Sequence, residues 1–217
     1  MILYQNPLSS PEDLNSFVLE GSASLSFDSG VLRMENKLDP ALGQKANYVL
    51  WCPEVFPDDI RVSWDFRPLR EPGLAMLFFA ASGRNGESIF DLAPRNGEYP
   101  QYHHGDLNAF HVSYFRRKEP DERAFHTCNL RKSWGFHLVS QGADPLPDAS
   151  EDSPWYEISV VKSGALVTFA INDLELFRFE DDGVSYGPLL SGGRIGFRQL
   201  APLVAEYRNL TVSTVSP

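Results

Sequence analysis

The five histidines of this 217-residue chain all lie between positions 103 and 137. Imidazole titrates near neutral pH, so such clustering indicates a site for proton transfer or ligand binding. The same segment contains six Lys and Arg against four Asp and Glu, a local charge of +2. The rest of the chain has a charge of −12, and the two values add to the net charge of −10. A cationic segment in an acidic protein predicts a local site for an anionic small molecule, such as a uronate or a phosphate-bearing compound.

Residues 108–117 are predicted to form a strand whose polar face could bind a sugar. Side chains alternate between the two faces of a strand, and Phe110 and Val112 mark the core face. Tyr114 and Arg116 share that parity. Aromatic rings stack on sugars and polar groups reach hydroxyls and carboxylates, although an ordinary solvated face is the alternative interpretation. The opposite face offers an imidazole, a hydroxyl, a ring and a guanidinium group, from His111, Ser113, Phe115 and Arg117.

Metal binding is a weaker interpretation of the same histidines. His103, His104, Asp106 and His111 could supply ligands, but neighbouring histidines in extended chain point apart and no zinc-type spacing appears. We therefore predict no metal ligands and no cofactor. A structural calcium held by loop oxygens near residues 181–182 stays open, with a simple hairpin turn as the alternative.

Other catalytic motifs give little support to a different chemistry. The sequence contains no Gly-rich phosphate loop and no Gly-x-Ser-x-Gly elbow. Residues 119–121 begin the Glu-x-Asp-x-x-Glu pattern of laminarinase-type jelly rolls, but Ala124 stands where the second Glu belongs. Because an ordinary glycosidase needs two positioned carboxylic acids, we interpret residues 119–122 as a solvated loop.

The elements that must position these residues are many short β-strands. In residues 61–67 the apolar Val62, Trp64 and Phe66 share one face, which is the strand period, and no long helical period appears. The pattern predicts an all-β fold, one antiparallel two-sheet sandwich of jelly-roll type over residues 1–217. Long connections at 83–104 and 141–153 are predicted to shape a binding site. The predicted strands are 21–27, 31–35, 47–52, 60–67, 74–82, 108–117, 155–162, 165–171, 174–180, 193–199 and 206–212.

Composition narrows the classes of partner. Hydrophobic residues make up 42% and charged residues 22%, as in an ordinary globular protein. The net charge of −10 disfavours nucleic acid, whose binding needs Lys and Arg to displace counterions. No apolar run approaches the ~20 residues of a membrane span, and no signal-peptide pattern begins the chain, so we predict a cytoplasmic protein without a membrane partner. The two cysteines are expected to be reduced thiols. The oligomeric state stays open.

Seven further motifs are residues 105–108, 111–117, 126–133, 135–139, 181–183, 186–188 and 192–199. Together they resemble the YesU-like proteins, a bacterial family of unknown function. The resemblance implies a concanavalin-like sandwich of the lectin and glucanase type. It also implies a link to the breakdown of pectin-like polysaccharides, because genes for that process tend to lie near those of the family. It carries no established activity, and the motif positions serve only as candidate site residues.

These observations lead to a hypothesis of a protein that acts on an acidic or plant-derived oligosaccharide, with β-elimination as the best chemical fit. Arg117 and Arg131, with Asn129, would neutralise a uronate carboxylate. His111 or His104 would take the C5 proton. The candidate acid is Tyr114, although its parity places it on the core face. The alternatives are a non-catalytic lectin-like module and a sugar hydrolase or isomerase.

The remaining candidates are predicted to contact the sugar. We expect at least three of His104, His111, His126, Arg117 and Arg131 to line one cleft, because they cluster in the sequence. The predicted substrate-binding residues are Tyr102, His103, Asn108, Ser113, Phe115, Arg116, His126, Asn129, Lys132, Trp134 and His137.

Overall fold

A computed structural model describes residues 1–215 as fifteen strands with short helical turns between them. Two α-helical turns lie within this range, α1 (Pro100–His103) and α2 (Pro120–Ala124). No helix among the described residues is long and apolar enough to cross a membrane. The strands are β1 (Ile2–Asn6), β2 (Val18–Gly21), β3 (Ala23–Ser26), β4 (Leu32–Asn36), β5 (Tyr48–Trp51), β6 (Ile60–Arg70), β7 (Leu74–Gly83), β8 (Leu107–Tyr114), β9 (Thr127–Ser133), β10 (His137–Ala143), β11 (Tyr156–Ser163), β12 (Leu166–Ile171), β13 (Leu174–Glu180), β14 (Arg194–Leu200) and β15 (Val204–Thr214).

The strands form two antiparallel sheets. Sheet A has eight strands in the order β13-β12-β11-β6-β15-β4-β3, with β1 added beside β15. Sheet B has seven strands in the order β10-β9-β8-β7-β14-β5-β2. Sequence neighbours such as β7, β8, β9 and β10 pair as a meander, whereas β14 returns from far along the chain to lie between β7 and β5. The predicted all-β, two-sheet antiparallel sandwich is confirmed.

The inner faces of the two sheets make the main hydrophobic core. In β6 every second residue is buried, and Val62, Trp64 and Phe66 face this core as the alternation predicts. Sheet B contributes Phe110 and Val112 from β8. Because both inner faces are apolar, the polar side chains of sheet B are directed to its outer face.

A second apolar cluster covers part of the outer face of sheet B. Residues 84–106 run over this face, and Ile89 and Tyr102 pack there against Trp51 and Phe78. Tyr102 donates to Glu20 at 2.8 Å, and Arg95 forms an ion pair with the same carboxylate at 2.6 Å. These contacts attach the connection to β2, so it forms a fixed wall of the outer face.

Gly97 shows how closely this connection approaches the sheet. Its φ is +94°, and a Cβ there would collide with the carbonyl oxygen of Asn47. Only glycine allows both the backbone conformation and this approach. The next residues, up to Tyr99, are thereby held directly over sheet B.

Candidate functional site

The strand register brings polar side chains together on the outer face of sheet B. His111 of β8 pairs with Arg131 of β9, and Ser113 pairs with Asn129. Arg198 of β14 lies in the same row as Ser113 but two strands away, because both residues pair with Met76 of the intervening strand β7. We call Tyr99, His103, His111, Arg131 and Arg198 the outer-face cluster.

Tyr99 links the members of the cluster. Its hydroxyl and Nε2 of His111 are hydrogen-bonded at 2.6 Å, and the two rings meet edge to face. The Cζ atom of Arg198 lies 4.7 Å from the centre of the Tyr99 ring, and the His103 ring centre also lies 4.7 Å away. A phenol, two imidazoles and a guanidinium group are thus in direct contact.

The two arginines of the cluster have no acidic partner. Arg198 is fully buried and donates to the carbonyl oxygen of Gly97 at 3.0 Å, while its Nε and Nη1 have no partner among residues 1–215. Arg131 donates to the carbonyl oxygen of Phe136 at 2.9 Å and lies over that ring at 3.8 Å. The ion pairs of the described chain include neither arginine. Two positive charges that both act on Tyr99 and His111, with no carboxylate partner among residues 1–215, favour an anionic ligand.

Burial keeps the other cluster members neutral. The pKa of His111 is held well below its usual range by burial and then by the charges of Arg131 and Arg198. Burial raises the pKa of Tyr99 to about 12, against the opposing effect of Arg198 and Arg131. The pKa of His103 falls to about 4, through burial and then the neighbouring His104. At neutral pH the site therefore offers cations, a neutral phenol and neutral imidazoles.

The histidine pair of α1 connects this cluster with a cavity at the end of the sandwich. The Nδ1 atoms of His103 and His104 are in hydrogen-bond contact, and the His104 ring centre lies 5.4 Å from that of Trp134. Trp134 is half-exposed and belongs to the turn between β9 and β10. A continuous line of aromatic rings therefore runs from Tyr99 to this turn.

The cavity beyond Trp134 has a volume of about 310 Å³. It lies between the β9–β10 turn and the loop that follows β13, and we call it the end cavity. Arg84 lies over the Trp134 ring at 4.8 Å, and the rings of His137 and Tyr186 are 5.3 Å apart. Its lining residues include Arg84, Asn108, Lys132, Ser133, Trp134, His137, Ser185 and Tyr186.

Lys132 is bound to protein groups inside this cavity. It is 1% exposed and forms an ion pair with Asp181 at 2.6 Å. It also donates to the carbonyl oxygens of Gly187 and Pro188, at 2.9 and 2.8 Å. All three donors of its ammonium group therefore have partners in the protein. The predicted contact of Lys132 with a substrate is not possible while these partners are in place.

The predicted alternation fails after Tyr114. Phe115 has a φ of +46°, which ends β8 and reverses the parity of the next residues. Phe115 consequently lies in the main core beside Phe66 rather than on the sugar-binding face. Arg116, predicted on the core side, instead reaches Thr127 at 2.6 Å and pairs with Glu122 at 2.7 Å.

The predicted catalytic role of Arg117 is also wrong. Its guanidinium group is fully buried, pairs with Asp144 at 3.1 Å and donates to the carbonyl oxygen of Leu146 at 2.8 Å. These groups belong to the long connection after β10. Arg117 therefore anchors that connection and presents no free donor pair to a carboxylate.

Two predicted tyrosines are unavailable to a ligand. Tyr114 is buried between the sheets, where its hydroxyl accepts from Nε1 of Trp64 at 3.1 Å, so it cannot act as the acid. Tyr102 is buried against sheet B, with its hydroxyl on Glu20. Tyr99, which sequence reasoning missed, supplies the phenol on the outer face instead.

The other candidates divide between three places. Three of the five residues expected in one cleft come together: His111 and Arg131 directly, and His104 through its contact with His103. Arg117 and His126 lie apart from them. His126 lines a shallow surface cavity with Gln141. Ser113 and Asn129 are buried beside the outer-face cluster, and the Asn129 and Gln141 amides are 2.7 Å apart. Asn108, Trp134 and His137 line the end cavity.

Some missed residues had a signal in the sequence. In β14 the core residues Ile195 and Phe197 alternate with Arg194 and Arg198, so parity alone places these arginines on the outer face. Tyr99 had no such signal, because it comes from an irregular connection. Tyr186 lay in a family motif without an assigned role.

No three His, Cys, Asp or Glu side chains within residues 1–215 are grouped so that they could hold a metal ion. The acidic pair suggested for calcium has other partners. Asp181 pairs with Lys132, and Asp182 accepts from the Ser185 hydroxyl at 2.5 Å and from the Val184 and Ser185 amides at 2.8 Å. These contacts form a tight turn in the loop that crosses from β13 of sheet A to β14 of sheet B, so the segment is not the hairpin of the alternative interpretation.

Comparisons with known proteins agree with this fold. The chain is 52% identical over 213 residues to the "Uncharacterized protein YesU" of Bacillus subtilis (strain 168), covering 97% of this chain and 94% of that one. A crystal structure of a protein of unknown function with a galectin-like fold, from Bacillus subtilis, matches with a TM-score of 0.92 and 51% identity, over 98% and 96% of the two chains.

A more distant structure shares the fold alone. The carbohydrate-binding module CBM66 from Bacillus subtilis matches with a TM-score of 0.57 and 11% identity, over 93% of this chain and 97% of that one. The family model described as "Domain of unknown function (DUF1961)" matches residues 1–212. With that match and the identity to YesU, the chain belongs to the DUF1961 family, as the YesU-like motifs of its sequence predict.

Proposed function

We propose that the protein binds an anionic, uronate-containing oligosaccharide of the pectin-like type at the outer-face cluster. The observation that carries this proposal is the placement of Arg131 and Arg198 near Tyr99 with no carboxylate partner among residues 1–215. Arg131 is half-buried and can pair directly with a ligand carboxylate, whereas the fully buried Arg198 favours that carboxylate only through its charge. Guanidinium groups hold carboxylates through paired hydrogen bonds, which gives the ligand a defined orientation.

The surroundings of the cluster support a sugar over another anion. Phe136 exposes 42% of its surface beside the charged groups, and its ring contacts Arg131 and His103. Exposed rings next to hydrogen-bonding groups suit a sugar, which has apolar C–H faces and polar edges. The fold of CBM66 shows that a sandwich of this shape occurs in a carbohydrate-binding module, but the weight of the proposal rests on the site.

The binding test compares charged and neutral forms of one sugar chain. Isothermal titration with oligogalacturonate, and with the same oligosaccharide after its carboxyl groups are reduced to alcohols, should show binding of the charged form only. Arg131→Gln should weaken that binding by about 10- to 100-fold, because one charge-assisted hydrogen-bond pair is lost. Arg70→Gln is the matched control, since this exposed arginine lies on sheet A. Equal affinity for the reduced oligosaccharide would contradict the proposal.

A second candidate function is β-elimination of the bound uronate. It is favoured by the hydrogen bond of 2.6 Å between the Tyr99 hydroxyl and His111, beside Arg131. In this reaction a base takes the C5 proton, the C5–H electrons form the C4=C5 double bond, and the C4–O bond breaks as its oxygen gains a proton. Arg131 would stabilise the charge that develops on the carboxylate, and Tyr99 would protonate the leaving oxygen.

The histidines take different parts in this candidate mechanism. His104 is exposed and would take the C5 proton. His111 is fully buried against Tyr99 and Phe78, so it would act as a positioning residue that orients the phenol. The phenolate left after proton transfer would be stabilised by the nearby charges of Arg198 and Arg131, which lower the pKa of this group.

Tyr99→Phe separates elimination from binding. The variant keeps the ring and loses the acid, so turnover should fall by about 100-fold or more while affinity stays near the wild-type value. Ultraviolet absorbance of the unsaturated product, measured with pectin-, ulvan- and alginate-derived oligosaccharides, follows the reaction. Tyr156→Phe, on sheet A, is the control. If the wild-type protein binds these sugars but releases no unsaturated product, elimination is contradicted and binding is the function that remains.

A further inference from the structure

The end cavity concentrates exposed aromatic surface. Among residues 1–215 the exposed large aromatic side chains are Phe125, Trp134, Phe136 and Tyr186. Trp134 and Tyr186 line the cavity, and Phe136 lies in the turn at its edge. Exposed rings lose favourable burial unless a ligand covers them, so their gathering at one concave place indicates a binding surface.

We propose that the end cavity is a second sugar subsite, which holds another residue of the oligosaccharide bound at the outer-face cluster. This inference rests on the proposed function and extends it from the recognition of one uronate to the recognition of a chain. Trp134 and Tyr186 provide stacking surfaces, and Asn108 and Ser133 provide hydrogen-bonding groups. The volume of about 310 Å³ lies at the lower end of the range for small-molecule sites.

The charge of the cavity suits a second uronate. Arg84 is exposed, lies 4.8 Å over the Trp134 ring and has no ion pair within the described chain. Lys132 and Asp181 neutralise each other. The net positive charge at the mouth therefore comes from Arg84, which can reach a carboxylate while its flat face stays on the indole.

Lys132 is a positioning residue for this subsite. Its ammonium group binds Asp181 and the carbonyl oxygens of Gly187 and Pro188, and so fixes the loop on both sides of Tyr186. Buried charge-assisted hydrogen bonds of this kind define one loop conformation. The wall of the cavity is thereby preformed, which reduces the entropy lost when a ligand binds.

The two subsites are close enough for one short chain. Arg131 and Ser133 lie on the same face of β9, two residues apart, which corresponds to about 7 Å along a strand. Between them the rings of His103, His104 and Trp134 form a continuous surface, with centre distances of 4.5 and 5.4 Å. A sugar chain can follow this surface from the outer-face cluster into the end cavity.

The test measures affinity as a function of chain length. Galacturonic acid and its di-, tri- and tetrasaccharides are titrated into the wild-type protein and into Tyr186→Ala and Trp134→Ala. Affinity of the wild type should rise by about tenfold or more from the monosaccharide to the longer chains. Both variants should lose that gain and keep the affinity for the monosaccharide. Phe125→Ala, which removes another exposed ring, is the matched control and should keep the gain.

Lys132→Met tests the positioning role with the same series. It should flatten the dependence on chain length without changing monosaccharide binding, which a general loss of stability would not do. Lys132→Met/Asp181→Asn provides the same measurement if the single variant, with its unpaired buried carboxylate, does not fold.

The outcomes distinguish this inference from the function on which it rests. A length-dependent gain that survives in Tyr186→Ala and Trp134→Ala overturns the second subsite and leaves the first intact. Equal affinity of the wild type for all four chain lengths also overturns the second subsite and leaves the first intact. A wild type that binds none of the four sugars overturns both proposals.

Discussion

Arg117 and Arg131 differ in what surrounds their guanidinium groups. Arg117 is fully buried and its charge is balanced by Asp144. Arg131 lies half-buried on the outer face, and within residues 1–215 its hydrogen-bond partner is a carbonyl oxygen. A guanidinium group with a buried carboxylate partner serves the fold, whereas one without such a partner is free to bind an anion.

Arg117→Ala is therefore expected to destabilise the protein. The free energy of unfolding should fall by about 3–5 kcal/mol, because Asp144 stays buried without a counter-ion. Denaturation in urea, followed by circular dichroism, measures the change. Arg117→Ala/Asp144→Ala should recover part of it, since no unpaired charge remains. Unchanged unfolding in the single variant would show that the ion pair is not needed for the fold.

At the scale of elements, the connection over residues 84–106 matters as much as any strand. It carries Tyr99 and both histidines of the pair, and its place depends on the contact of Gly97 with the backbone of Asn47. Arg198 of sheet B also donates a hydrogen bond of 3.0 Å to the Gly97 carbonyl oxygen, which fixes the same point of the connection. The geometry of the outer-face cluster thus depends on one close backbone approach.

Gly97→Ala should displace this connection. A methyl group would meet the Asn47 carbonyl oxygen, and the φ of +94° is unfavourable for alanine, so stability should fall by more than ~1 kcal/mol and oligosaccharide binding should weaken. Gly86→Ala measures the cost of the positive φ alone, because Gly86 has a φ of +89° and a Cβ there would meet no other atom. Urea denaturation and titration of both variants check the expectation. Equal losses in the two would mean that the approach to Asn47 is unimportant.

Alternation in the sequence predicts most of the strands but not the geometry of the site. Residues 174–180 are predicted and found as a strand, and 60–67 lies within β6. β9 and β10 lie outside the predicted strands. Lys132 puts a polar residue on the core face of β9, and a bulge between Leu138 and Ser140 interrupts the alternation of β10. The positive φ of Phe115 reverses parity in a way that alternation cannot show. Tyr99 reaches its place through tertiary contacts of an irregular segment, so no local period could reveal it.

On the scale of the whole molecule, the charge is distributed unevenly. The chain carries −10 overall, whereas the outer-face cluster contains two arginines that have no acidic partner in the part of the chain that the structure describes. The repulsion of an anionic ligand by the net charge acts over long distances and is screened by salt. A direct contact with the half-buried Arg131 and the field of the fully buried Arg198 act over short distances and are screened much less. A cytoplasmic location of this acidic protein stays a prediction.

Salt should therefore speed the association of an anionic oligosaccharide. Raising the ionic strength from about 0.01 to about 0.1 M shortens the screening length from about 30 to about 10 Å, so the association rate constant should increase. Stopped-flow measurements test this, with the carboxyl-reduced oligosaccharide as a control that lacks the charge. A steep fall with salt would instead indicate binding dominated by the release of counterions, as with nucleic acids.

The four tryptophans give the protein an internal optical reporter. Trp51 and Trp64 expose at most 1% of their surface. Trp155 lies under the guanidinium groups of Arg67 and Arg208. Trp134 is 42% exposed at the wall of the end cavity. A soluble quencher should act on its emission first, and a molecule that occupies the cavity should protect it. Fluorescence of the unlabelled protein can thus report occupancy in real time.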